Sequence, residues 1–69
     1  MRTEESEFRF GALAVKKGFV TPDHVIKALA LQVKGYLSTG EHKRIGKILH
    51  EQQFITLDQL DEIILALNS

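Results

Sequence analysis

The sequence predicts an all-α fold, a small four-helix domain built from two tandem helix-turn-helix repeats. Apolar residues recur with the period of a helix, the 69 residues include one proline, and a pattern near the start returns 35 positions later. A single core in a chain of this length is marginal, and without cysteine it has no disulfides to reinforce it. Because oligomerisation is the remaining way to add burial, we expect a domain that can form a homodimer.

The repeat is clearest in "FVTPDHV" (19–25) and "FITLDQL" (54–60). Aligning residues 9–32 with residues 44–67 preserves the apolar period and gives five identities, three of them in the turn and helix start. The identical pairs are Arg9/Arg44, Gly11/Gly46, Phe19/Phe54, Thr21/Thr56 and Asp23/Asp58. We interpret this as an internal duplication in which each copy is one helical hairpin.

The first helix is predicted within "SEFRFGALAVKKG", where Phe10 and Ala14 share one face. Gly18 follows at the position where a left-handed residue commonly ends a helix. Thr21 is the predicted N-cap of the second helix, and Pro22 takes the first helical position, where its missing N–H costs nothing.

The second helix is predicted to turn Val25, Ala28, Leu29, Val33 and Tyr36 inward. It is apolar nearly all round. Such a helix is usually buried on more than one side, so we expect it to be covered within the monomer or by a second copy.

The third helix is predicted to have Ser38 or Thr39 as its cap. In the turn that follows, Thr56 and Gln59 have the spacing of a capping box. The inward side chains predicted for the second repeat are Ile45, Ile48, Leu49, Leu60, Ile63, Ile64 and Leu67.

These elements predict a single domain over residues 1–69. Repeat 1 covers about 6–36, a linker covers 37–42, and repeat 2 covers about 43–69.

Charge is unevenly distributed although the formal net charge is zero. Residues 8–50 carry a net +6, whereas residues 1–7 carry −2 and residues 51–69 carry −4. A basic middle can receive an anion or the acidic face of another protein, or the acidic last helix can fold back onto it. The acidic start and the absence of a long apolar run predict a cytoplasmic protein without membrane insertion.

Two glycines predicted to lie inside helices need an explanation, because glycine there costs about 1 kcal/mol relative to alanine. Gly11 and Gly46 each stand two residues after an arginine, in "RFG" and "RIG". Close approach of two helices is one explanation, and close approach of a ligand is the other. Since Arg9 and Arg44 can stack on a base and pair with phosphate, the ligand would be flat and anionic.

The sequence gives little support to metal binding, catalysis or nucleic-acid binding. The spacing of His24, His42 and His50 does not match a metal site, so we expect no metal. We find no residue set for nucleophilic or acid–base catalysis and predict a protein that is not an enzyme and has no cofactor. Nucleic-acid binding is disfavoured because the second helix of each repeat is apolar or acidic where bases would be read.

The segment "RFGALAVKKGFVTPDHVIKALALQ" (9–32) resembles the repeated motif in the N-terminal domain of bacterial type II secretion and type IV pilus assembly ATPases. That motif is Arg-Leu-Gly followed by apolar pairs, a glycine and spaced leucines that end in Gln. The residues in register are Arg9, Phe10, Gly11, Ala14, Val15, Gly18, Phe19, Val20, Val25, Leu29 and Gln32. In the second copy His50, Gln53 and Leu67 depart from the motif.

In part of that family the domain binds cyclic di-GMP. The resemblance implies that Arg9 and Arg44 contact guanine or phosphate, that Gly11 and Gly46 let the backbone approach the ligand, and that Gln32 hydrogen-bonds it. Other members are thought to serve as docking modules. No Walker A sequence occurs in the 69 residues, so the resemblance implies the sensor or docking part without the ATPase.

Two functional hypotheses follow. The first is a non-catalytic regulatory or protein-docking module whose partner belongs to secretion or pilus machinery. The alternative is a cyclic di-GMP receptor, with that nucleotide as the one candidate ligand.

Overall fold

The computed structural model describes residues 3–68, with side chains from residue 7 onward. The described chain forms four helices and no strand, which confirms the predicted all-α class. The helices are α1 (Thr3–Lys16), α2 (Pro22–Thr39), α3 (Ile45–Glu51) and α4 (Leu57–Asn68). None of them has the length and apolar character needed to cross a membrane. The side chains of the acidic first six residues lie outside the described part.

The turn between α1 and α2 is a Schellman motif. Gly18 has φ +80°, its N–H donates to the carbonyl of Val15 at 2.9 Å, and the N–H of Phe19 donates to the carbonyl of Ala14 at 3.0 Å. These bonds pair carbonyls that the end of α1 would otherwise leave free. Gly18 therefore ends the first helix as predicted.

The turn between α3 and α4 repeats this geometry without glycine. Gln53 has φ +64°, its N–H donates to the carbonyl of His50 at 3.0 Å, and the N–H of Phe54 donates to the carbonyl of Leu49 at 3.0 Å. A residue with a Cβ is strained in this left-handed conformation. The second repeat therefore forms the same turn without the residue best suited to it.

Both second helices of the hairpins start at a reciprocal capping box. The Thr56 hydroxyl accepts from the Gln59 N–H at 3.1 Å, and Gln59 Oε1 accepts from the Thr56 N–H at 3.0 Å, as predicted. In the first hairpin Thr21 Oγ1 accepts from the His24 N–H at 3.1 Å, and His24 Nδ1 accepts from the Thr21 N–H at 3.2 Å. The cap at Thr21 and the start at Pro22 are confirmed, whereas the role of His24 in the box is new.

The core is centred on the shortest helix. Four of the seven residues of α3 are buried, and α3 packs against each of the other three helices. Ile64 of α4, predicted inward, is exposed. The buried apolar side chains are Phe10, Ala14, Val20, Ala28, Ile45, Ile48, Leu49, Ile55 and Ile63.

The predicted burial along α2 is wrong from Leu29 onward. Ala28 is buried and Val25 half-buried, but Leu29, Val33 and Tyr36 are exposed. These three lie on a different face of the helix from Ala28. Length adds to this for Val33 and Tyr36, because at 1.5 Å per residue α3 is roughly 10 Å long and α2 roughly 27 Å long, so the end of α2 extends past the core.

The predicted cap of α3 is also wrong. Ser38 and Thr39 lie inside α2, which runs three residues into the segment predicted as linker. The N-cap residue of α3 is Arg44, and its side chain makes no capping bond.

Glu7 of α1 supplies the missing cap from a distance in sequence. Its side chain is 6% exposed, and its Oε2 accepts from the N–H of Ile45, the first residue of α3, at 3.0 Å. Its Oε1 accepts from Gln32 Nε2 at 3.2 Å, and the same nitrogen donates to the carbonyl of Lys43 at 2.9 Å. A carboxylate at a helix start is stabilised both by the N–H groups and by the helix dipole. One buried carboxylate therefore joins α1, α2 and the start of α3.

Replacing Glu7 with alanine should lower the free energy of unfolding by about 2 kcal/mol, because a buried N–H and the Gln32 amide lose a charged acceptor. Urea denaturation measures the change. The matched control is Glu62→Ala, which removes an exposed ion pair with Lys17 of 3.2 Å and should cost less than about 1 kcal/mol. Equal losses in the two variants would contradict the capping role.

Replacing Gln53 with glycine should raise the free energy of unfolding by about 1 kcal/mol, because it relieves the left-handed strain at an exposed position. Thermal denaturation at several urea concentrations provides the measurement. The control is Gln52→Gly at the neighbouring residue, whose φ is −81° and where glycine should be neutral or destabilising. A stabilising Gln52→Gly, or a Gln53→Gly that destabilises, would show that strain is not the cause.

Candidate functional site

The two arginines of the predicted site line one groove. Arg9 on α1 and Arg44 before α3 border a cavity of about 650 Å³. Gly46 and Lys47 of α3 line the same cavity. We call it the basic groove. Its apolar lining comes from Phe10, Leu60, Ile64 and Leu67. Cationic side chains around an apolar surface suit a ligand that is both anionic and flat or apolar.

The other two predicted site residues lie elsewhere. Gly11 and Gln32 line a second cavity of about 440 Å³ between α1 and α2, which we call the apolar groove. Glu7 lines both grooves. The apolar walls of the apolar groove are formed by Phe8, Ala12, Val15, Val25, Ile26 and Leu29. In the monomer the five predicted residues therefore divide between two cavities.

Both glycines have a packing role. A Cβ on Gly46 would lie 2.8 Å from Phe10 Cζ and 2.9 Å from Leu60 Cδ1, and a Cβ on Gly11 would lie 3.0 Å from Val25 Cγ1. Alanine at position 46 would therefore require the ends of the Phe10 and Leu60 side chains to shift, and alanine at position 11 would require a small shift of Val25. This explains the helical glycines by helix approach, and it also places Gly46 at the wall of the basic groove.

Gln32 is engaged within the fold. Its Nε2 donates hydrogen bonds to both Glu7 Oε1 and the Lys43 carbonyl. A ligand that took this amide donor would compete with the network that starts α3. Gln32 therefore has a structural function in the monomer, in addition to the ligand contact that the resemblance implies.

The charge pattern of the sequence is partly neutralised inside the fold. Lys17 at the end of α1 pairs with Glu62 of α4 at 3.2 Å, and Lys43 pairs with Glu51 at 3.2 Å. The acidic last helix thus does fold against the basic part, but it contributes apolar residues to the basic groove. The groove keeps a cationic lining.

Sequence reasoning missed the contact between the two turns. The His24 ring stacks on Phe54 with centroids 4.2 Å apart and an interplanar angle of 12°, and Lys27 Nζ lies 5.9 Å from the centre of Phe54. The repeat alignment pairs His24 with Gln59, which marks His24 as a residue of the helix start but does not indicate its contact with Phe54. Among the described side chains of residues 7–68, no three His, Asp or Glu groups come together as a metal site would require.

Comparison with known proteins identifies no relative of this chain: no protein-family model, no curated protein and no solved structure matches it.

Proposed function

We propose that the protein is a non-catalytic regulatory or docking module that binds a protein partner in the apolar groove. The observation that supports this is the groove between α1 and α2, whose walls are apolar side chains left uncovered by the rest of the domain. Phe8 on its α1 side is 75% exposed. Contiguous apolar surface of this kind is typical of interaction sites.

The shape of the groove indicates what occupies it. Two helices form its walls, and the small residues Gly11 and Ala12 leave room between them. Such a groove fits the apolar ridge of an amphipathic helix, whose side chains enter at i, i+3, i+4 and i+7. Of its polar lining residues, Glu7 and Gln32 are engaged within the fold, whereas His42 is exposed and can bond the partner's polar flank. The family resemblance suggests a partner from the type II secretion or type IV pilus machinery.

The docking proposal predicts that the double variant Phe8→Glu/Ala12→Glu loses at least about tenfold in affinity for a purified secretion or pilus component of the same organism, since charge would enter an apolar contact. Both side chains are exposed, so the melting temperature should stay nearly unchanged. Calorimetry measures the affinity.

The matched control is Leu65→Glu, an exposed leucine of α4 that lines neither groove and should bind normally. If the double variant binds as well as the unsubstituted protein, or if none of the purified components binds, the proposal is wrong.

A second candidate is the cyclic di-GMP receptor, and the basic groove favours it. Arg9, Arg44 and Lys47 can pair with phosphates, while Phe10 and Leu60 offer apolar surface to a base. In the monomer the site would consist of Arg9, Arg44 and Gly46, because Gly11 and Gln32 line the other groove. A dimer could bring a further motif to the ligand.

Titration calorimetry with cyclic di-GMP tests this candidate. Heat of binding is expected from the unsubstituted protein, and the Arg9→Ala variant should lose at least about tenfold in affinity through the missing phosphate or base contact. Lys34→Ala, which removes an exposed charge remote from both grooves, is the control. No heat at millimolar nucleotide would remove the receptor hypothesis, and unchanged binding by Arg9→Ala would remove the site.

A further inference from the structure

The last two turns of α2 have no support from the core. Every residue from position 33 to position 39 is exposed, although the segment is helical and ends at Gly40, whose N–H donates to the Tyr36 carbonyl at 2.8 Å. Val33 is 55% and Tyr36 54% exposed, and Leu37 is exposed beside them. A helical segment this short is marginal in water unless its apolar side packs against something.

The exposed apolar residues of α2 have a specific spacing. Ile26, Leu29, Val33 and Tyr36 are separated by three, four and three positions, which is the a and d spacing of a coiled-coil heptad. We call these four residues the α2 seam. Its a positions are the β-branched Ile26 and Val33, and Leu29 is at d, the combination that favours packing of two helices. The seam lies away from the buried face that Ala28 presents to the core.

The residues beside the seam identify the helix that fits it. The e and g positions from Val25 to Leu37 are Val25, Ala30, Gln32 and Leu37, none of which carries a charge, and the one acidic e residue, Asp23, precedes the seam in the first turn of α2. The charged residues of α2 are Asp23, Lys27 and Lys34, and on a helical wheel they form a separate stripe. Two copies of this seam can therefore meet without placing like charges opposite each other, as a two-fold symmetric contact requires.

We infer that the α2 seam binds the α2 seam of a second copy, so that the protein is a homodimer in which two α2 helices pack along Ile26, Leu29, Val33 and Tyr36. Among the described side chains nine apolar ones are buried, and pairing of the seams adds a second apolar layer to this small core. Ile26 and Leu29 also line the apolar groove, so a docked partner and a second copy would compete for them. This inference goes beyond the docking proposal, because the residues that test it, Val33 and Tyr36, line neither groove.

The chain carries its own reporter of this contact. Tyr36 is its single tyrosine, and it has no tryptophan, so intrinsic fluorescence reports on the seam alone. Light scattering from about 1 μM to about 1 mM protein should show the mass doubling, since dimer formation follows mass action. Over the same range acrylamide quenching of Tyr36 should fall as the dimer buries the ring.

Two substitutions at one seam position provide the variants. Val33→Glu should stay monomeric at all concentrations, because two carboxylates would face an apolar contact. Val33→Ala keeps or improves helix propensity while it trims the seam, and it should weaken the dimer roughly tenfold. Far-UV circular dichroism of the dilute proteins checks that both variants retain the helical content of the monomer. Leu65→Glu, on α4, is the matched control and should dimerise normally.

Three results would overturn the inference. A mass that stays monomeric at millimolar concentration excludes the dimer while leaving the docking proposal intact. A doubled mass with unchanged Tyr36 quenching places the contact on another surface. A Leu65→Glu variant that dissociates as fully as Val33→Glu shows that the seam has no special role.

Discussion

The buried Glu7 carboxylate is the contact on which the arrangement of the helices depends. α3 touches each of the other helices, it has only seven residues, and its own N-cap side chain makes no capping bond. An isolated helix of that length does not form in water. Glu7 accepts the first N–H of α3 and, through Gln32, also fixes α2 and the chain just before α3. The position of the central helix is thus set by a residue 38 positions earlier in the chain.

Local features of the fold could be predicted from the sequence, and features that depend on distant contacts could not. Gly18, Thr21, Pro22 and the Thr56–Gln59 pair act within a few residues of themselves, and their patterns are short-range. The Glu7 cap joins residues that no periodicity relates. The capping group of α3 therefore lies far in sequence from Ser38 and Thr39, the only candidates that short-range patterns offer.

The candidate site shows the same division. The arginine and glycine pairs were visible because they repeat, and Arg9, Arg44 and Gly46 do line one groove. The sequence could not show that Gly11 and Gln32 line another, because that depends on how α2 lies against α1 and α3. Apolar period alone also could not tell a buried stripe of α2 from an exposed one, since the difference is which face of α2 meets the core and how far the helix extends past it.

The stacked rings of His24 and Phe54 have a consequence for how the two hairpins behave as a pair. Each ring sits at the turn of its own repeat, and the stack fastens one turn to the other. A duplicated chain could in principle open one hairpin at a time, as repeat proteins do. Here the opening of either turn separates the rings, and α3 belongs to the core of both halves. We therefore expect the two copies to form one foldon, in which the buried amides of both hairpins exchange with solvent through a common opening, unlike those of the exposed end of α2.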